Sequence, residues 1–218
     1  MCDNIKHHLS DELLMGYAAG SWPEAFNLVI ATHIAMCAEC RFRLAEFETV
    51  GGAMLESDVG AVDLSSGAFE ATFSRIANAA WPDEPKRAIK VGAIFPAPLQ
   101  DYMGGDLEAV KWRPIGMGVG QAVLKTSKEA SARLLKIPAG CEMPDHGHRG
   151  TELTLVLKGA FLDEGNRFVR GDIGLANEEV AHTPVADVGE DCICLAATDA
   201  PLRFNRLLPR IVQPFIGI

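Results

Sequence analysis

Up to about residue 80 the apolar positions follow a helical spacing, and beyond about residue 100 they follow a strand spacing. Ser10 precedes the acidic pair Asp11-Glu12, the arrangement of an N-cap at the positive end of a helix, and Gly20 ends that short helix. Ser21-Trp22-Pro23-Glu24 has capping-box spacing with proline in the first turn, which predicts a second, long helix reaching about Val50, just before Gly51-Gly52. A third helical stretch follows Leu64-Ser65-Ser66. Its Phe69, Phe73, Ile76 and Ala80 fall at i, i+4, i+7 and i+11, one apolar stripe. Such a stripe is either core or a partner-binding face, since so small a module cannot bury every apolar surface by itself.

Residues 82–98, PDEPKRAIKVGAIFPAP, hold four prolines and a charge cluster, the texture of a linker. Past it, short β-type runs (Gly120–Leu124, Ala132–Ile137, Leu153–Leu157, Cys192–Ala196) alternate with Gly, Pro and Asp turns, which predicts a β-sandwich or barrel. The chain therefore divides into a helical domain (1–85), a linker (86–98) and an all-β domain (99–218), an α+β protein of two domains.

Charge changes this picture in one respect. The net charge is -9, and residues 1–85 hold 13 acidic against four basic side chains, so the whole surplus lies in the helical domain. An acidic surplus argues against direct DNA binding, which needs clustered Lys and Arg. It suits either a solvated surface or a face complementary to a basic partner. No apolar run approaches membrane-spanning length, and the polar opening MCDNIKHHLSDE lacks a signal-peptide core, so a cytoplasmic protein is expected. Six cysteines in that setting read as thiols or metal ligands rather than as disulfides.

Two clusters carry metal chemistry. His33, Cys37 and Cys40, spaced four and three apart, share one face of the predicted long helix, and His7 or His8 can supply a fourth donor. Two thiolates cancel the charge of Zn2+, so a Cys2His2 site is closed and structural. In the β-rich half, His146, His148 and Glu152 are followed by His182. Three imidazoles and one carboxylate suit zinc, iron, manganese or nickel, retain net positive charge and can admit water or an exogenous ligand. Cys192 and Cys194 lie i, i+2 on an apolar strand, as packed thiols or as a redox-sensing pair. The parity of Cys141 disfavours ligation, Cys2 is incidental, and Trp22, Trp81 and Trp112 read as packing residues.

These residues carry a resemblance. Gly-x5-His-x-His-x3-Glu-x6-Gly, complete from Gly140 to Gly159, is similar to the first cupin motif, and Gly171 to His182 resembles the second. Asn177, Glu179 and Ala186 stand where that second motif has Pro, Gly and Asn. His33-x3-Cys37-x2-Cys40 resembles the helix of zinc-binding anti-sigma factors. With a cupin behind it, and with HHLSDELLMGYAAG, PDHGHRGTELTLVLKGAF, HTPVA and DCICLAATDAPLRFN, the whole chain resembles a ChrR-type anti-sigma factor. The resemblance implies His8 as the fourth zinc ligand and a second metal, zinc, on the cupin quartet. It also implies a 1:1 complex with an extracytoplasmic-function sigma factor, which the helical domain sequesters and the cupin releases under singlet oxygen. On that reading the stripe Phe69, Phe73, Ile76 is the sigma-binding face. The rival readings are a metal-dependent cupin enzyme with a helical appendage, and a metal-storage or metal-sensing protein.

Overall fold

The structure, a computed structural model, describes residues 5–57, 60, 63–79, 90, 92–178 and 180–201, and the backbone of 203–204. Cys2, Ala80, Trp81, residues 82–89 and 91 of the expected linker, Glu179 and the tail beyond 204 lie outside these. The described residues form five α-helices: α1 (Asp11–Ala18), α2 (Glu24–Met36), α3 (Ala38–Ser57), α4 (Ala68–Asn78) and α5 (Ala97–Met103). Twelve strands follow: β1 (Arg113–Gly116), β2 (Val119–Val123), β3 (Ser131–Ile137), β4 (His146–Gly147), β5 (Glu152–Lys158), β6 (Ala160–Asp163), β7 (Asn166–Val169), β8 (Ile173–Ala176), β9 (Ala181–His182), β10 (Val185–Ala186), β11 (Cys192–Thr198) and β12 (Arg203–Phe204).

The strands make a six-stranded sheet, β1-β2-β3-β11-β5-β8, and two three-stranded sheets, β10-β6-β7 and β12-β4-β9. This all-β unit preceded by helices is the α+β architecture expected. Side-chain alternation gives the large sheet two distinct faces. Leu134, Leu153, Leu155, Ile193 and Leu195 point outward and join Leu14, Phe26 and Ile30 of the helices in one core. Leu135, Ile137, Thr154, Cys194 and Ala196 point inward and line a cavity. Every residue of β11 is buried, which accounts for its unbroken run CICLAAT.

The Ser10 side chain accepts from the Leu13 N–H at 3.3 Å, as the cap reading required. Other expectations are revised. The capping box does not form: α2 starts after Pro23, Ser21 Oγ donates instead to the Gly16 carbonyl (3.0 Å), and Glu24 turns away. Its carboxylate accepts from Tyr102 Oη (3.0 Å) and the Ser127 N–H (2.7 Å), tying α2 to the β-rich half. The single long helix is two helices, broken at an extended Cys37 (φ -105°, ψ 111°). Gly51-Gly52 interrupts nothing and lies inside α3. At the described end of the expected linker Phe95 is buried in the shared core, as is Leu99 just beyond it. No described helix is long and apolar enough to cross a membrane.

Candidate metal centres

The break at Cys37 builds the first centre. With α2 ending there and α3 restarting at Ala38, His33 comes from the last turn of one helix and Cys40 from the first turn of the next. The Cys40 N–H donates to Cys37 Sγ at 3.4 Å, a contact that favours sulfur as thiolate. His8 arrives from the segment ahead of α1, and the donor atoms of His8, His33, Cys37 and Cys40 lie within 4.8 Å of one another. Individual separations are 3.2 Å (His33 Nε2 to Cys40 Sγ), 3.3 Å (His8 Nδ1 to Cys37 Sγ) and 3.7 Å (His8 Nδ1 to Cys40 Sγ). Tetrahedral bonds of roughly 2.0–2.3 Å require edges of about 3.3–3.8 Å, so this donor set fits a tetrahedral metal.

Outer contacts hold the rings. His33 Nδ1–H donates to the Gly171 carbonyl (2.9 Å), leaving Nε2 for the centre, and His8 Nε2–H faces Glu39 Oε2 (3.3 Å). Burial brings the His33 ring down to about 4, keeping it neutral, the form that binds metal. Burial raises the Cys40 thiol to about 11 when no cation is present to offset it.

His7 has a different task. Its ring stacks on Phe168 (centroids 4.2 Å apart) and its Nδ1 lies 3.3 Å from Asp172 Oδ2. Asp172, wholly buried, accepts from the N–H groups of Lys6 (2.6 Å), His7 (3.0 Å) and Val169 (2.9 Å). Burial alone would raise this carboxyl, but those donors together hold it below its ordinary value. Gly171, the first residue of the second cupin-like motif, sits at φ +92°, and a Cβ there would meet Ile5 Cδ1 at 2.6 Å. The turn 169–172 thus grips both the His8 segment and the His33 ring, a coupling with no signature in the sequence.

The second centre is built by β4 pairing with β9, which sets His146 opposite His182, while His148 follows β4 directly. The Nε2 atoms of His148 and His182 are 3.1 Å apart, and those of His182 and His146 3.2 Å. Metal–nitrogen bonds of about 2.1 Å give edges of roughly 3.0–3.4 Å, so three imidazoles converge as a metal requires. His146 Nδ1–H donates to the Pro144 carbonyl (2.8 Å) and His182 Nδ1–H to Asp163 Oδ2 (2.6 Å), each freeing Nε2. Asp163 is a contact of this candidate centre that the motif spacing does not disclose. Glu152 lines the same cavity but stands outside the ring-nitrogen cluster, with Oε2 3.9 Å from His148 Nδ1. Burial lowers His146 and His148, again favouring neutral rings.

Cys192 and Cys194 face the same way, with sulfurs 3.5 Å apart and both buried. The contact with Cys192, then burial, pushes the Cys194 thiol well above its ordinary value. Cys141 is absent from both clusters, its sulfur directed at the Met117 carbonyl. Trp22 packs on Phe26 and donates to the Leu13 carbonyl.

The expected stripe is outward-facing. Phe69, Phe73 and Ile76 are 67%, 58% and 52% exposed, and α4 buries none of its residues. In α3 only Cys40 and Leu44 are buried, leaving Phe42, Val50, Met54 and Leu55 exposed as well. This second apolar surface has no counterpart in the sequence analysis, where residues 24–50 form one long helix and only the later stripe is singled out.

A helical module with a Cys2His2 donor set, ahead of a cupin in which three imidazoles converge, defines the class: a cupin protein with a helical module and two candidate metal centres. Residues 100–201 match the ChrR cupin-like domain. The chain is 54% identical to the anti-sigma-E factor ChrR of Cereibacter sphaeroides over 214 residues, 98% of this chain and 99% of that protein. It also superposes on a chain in the crystal structure of Rhodobacter sphaeroides SigE in complex with the anti-sigma ChrR. That match has a TM-score of 0.77 and 52% identity, and covers 90% of this chain and 100% of that chain. The chain belongs to the ChrR family of anti-sigma factors.

Proposed function

We propose that this chain is an anti-sigma factor that sequesters an extracytoplasmic-function sigma factor as a 1:1 complex in the cytoplasm and releases it under singlet oxygen. The observation that carries this reading is the near full-length match to an anti-sigma factor, 54% identical across both domains. The exposed stripe of α4 and the apolar side chains of α3 support it, because an isolated module gains nothing from leaving them in water. The acidic surplus of residues 1–85 suits a DNA-binding, hence basic, partner.

Zinc in the Cys2His2 site is structural. The cupin would hold a second divalent metal, zinc by family resemblance, on His146, His148 and His182, with Glu152, which lines the same cavity, to complete the set. There the metal would supply positive charge to an incoming ligand. The turn 169–172 is the route by which the cupin's state reaches the zinc module, since it contacts His33 and the segment carrying His8. The helical domain (1–85) inhibits, the region from 99 onward senses, and Cys194 on the cavity wall stands by with its neighbour Cys192 as an oxidisable pair.

Coexpression with the SigE of the matched complex tests the reading. An equimolar complex that loses transcription, with His146→Ala retaining binding yet failing to release under singlet oxygen, is the expected result. No complex with that sigma factor would overturn it. The cavity and three-imidazole centre favour one second reading, a metal-dependent cupin enzyme, which predicts turnover and no sigma complex.

A further inference from the structure

The cupin cavity, about 640 Å3, lies within the roughly 300–1,000 Å3 range of small-molecule sites. Its walls are mainly apolar, with Ile115, Leu135, Ile137, Met143, Phe161 and Phe168 among them. One lining residue does not belong to such a wall. Arg133, on the inward face of β3, is only 6% exposed. Its Nη2 donates to Ser131 Oγ (3.0 Å), and its buried Nη1 has no protein acceptor. A buried guanidinium is retained at a cost unless something anionic pairs with it.

Three carboxylates share the lining and bear on what an anion would meet. Asp163 is engaged by His182 at 2.6 Å. Glu152 accepts from Thr154 Oγ1 (3.2 Å) beside His148, and among the described residues no carboxylate comes within 4 Å of Arg133. Glu164 is exposed, at the periphery. The guanidinium feels the Glu152 carboxylate only at a distance, so it keeps a free buried donor in a mainly apolar space. We infer that this cavity binds an amphiphilic carboxylate, its head on Arg133 and its aliphatic tail along Leu135, Ile137, Phe161 and Phe168.

This inference does not rest on the anti-sigma reading: a chain that binds its sigma factor and ignores carboxylates would fail the one and keep the other. The test is calorimetry on the metal-loaded full chain with decanoate, decylammonium, decanol and acetate as probes. Saturable 1:1 binding of decanoate is expected. Acetate, which lacks the tail, and decanol and decylammonium, which lack the anionic head, should each bind at least about tenfold more weakly, the effect of one charge-assisted hydrogen bond. Arg133→Met should lower decanoate affinity by a similar factor with metal content unchanged, and Leu135→Trp, which fills the cavity, should abolish binding. Decanol binding as tightly as decanoate, an unaltered affinity in a folded Arg133→Met, or no decanoate binding up to roughly millimolar concentration would each overturn the proposal.

Discussion

Replacing Asp172 by alanine isolates the contact between the cupin and the zinc module. The carboxylate accepts two N–H groups across the junction, from Lys6 at 2.6 Å and His7 at 3.0 Å, and one within its own turn, from Val169 at 2.9 Å. Hydrogen bonds to a charged group contribute about 1.5–3 kcal/mol each. The two cross-junction bonds are not additive, and the freed donors rehydrate once the segment opens, so the net loss is about 3 kcal/mol. That corresponds to a roughly hundredfold rise in opening of residues 5–8. Hydrogen exchange read by mass spectrometry should show faster exchange there, with β3 and β11 unchanged. Because His8 travels with the segment, one of the two metal equivalents should pass to a chelator about 10–100-fold faster, the usual effect of losing an outer contact of a metal ligand. Exchange within about threefold of the parent, together with unchanged metal release, would refute the claim that this turn holds the segment.

Metal analysis of the full chain should give two equivalents, Cys40→Ser and His182→Ala each removing one independently of the other. Phe73→Asp should shift the folded stability by no more than about 0.5 kcal/mol, since α4 buries nothing, yet weaken sigma binding by about tenfold or more in a pull-down titration. Burial raises Asp106, but the N–H groups of Phe95, Ile94 and Leu107 outweigh it and hold the carboxyl below its ordinary value. Its stabilisation is therefore complete above the ordinary carboxylate range and disappears as pH falls through the depressed value. Urea melts should show Asp106→Asn less stable by about 1–3 kcal/mol at neutral pH, with the gap closing in acid.

The two donor clusters were legible because each is a local pattern of chemically distinctive residues, although Glu152, read as the fourth cupin donor, stands outside its cluster. His146-x-His148 and Cys37-x2-Cys40 announce a metal whatever the helix boundaries do. The boundaries themselves were not legible. Cys37 leaves the helix in a stretch without Gly or Pro, a break that the site's geometry demands and propensity does not signal. Glu24 reads as a capping residue because its true partners, Tyr102 and Ser127, lie far along the chain. The same distance hides Asp163 behind His182 and Gly171 behind His33. Spacing leaves His7 and His8 open; the fold turns His8 to the sulfurs, as the family resemblance implies, and stacks His7 on Phe168.

That division bears on how a signal in the cupin can reach the helical module that, on the proposed function, binds the sigma factor. Phe168 stacks on His7 at 4.2 Å and on Phe161 at 4.7 Å, and both phenylalanines line the cavity. A change of cavity contents therefore touches the ring that anchors the His8 segment. The central strand β11 meets the cavity with Cys194 and Ala196 and the helices with Ile193 and Leu195, so the same change also presses on the shared core. Moving a complex from mostly bound to mostly free takes about 5.5 kcal/mol of difference between states. The Asp172 bonds supply about 3 kcal/mol of that. The turn alone is too weak a lever, and on the proposed function release requires the cupin to loosen the His8 segment and the packing of α2 on the sheet together.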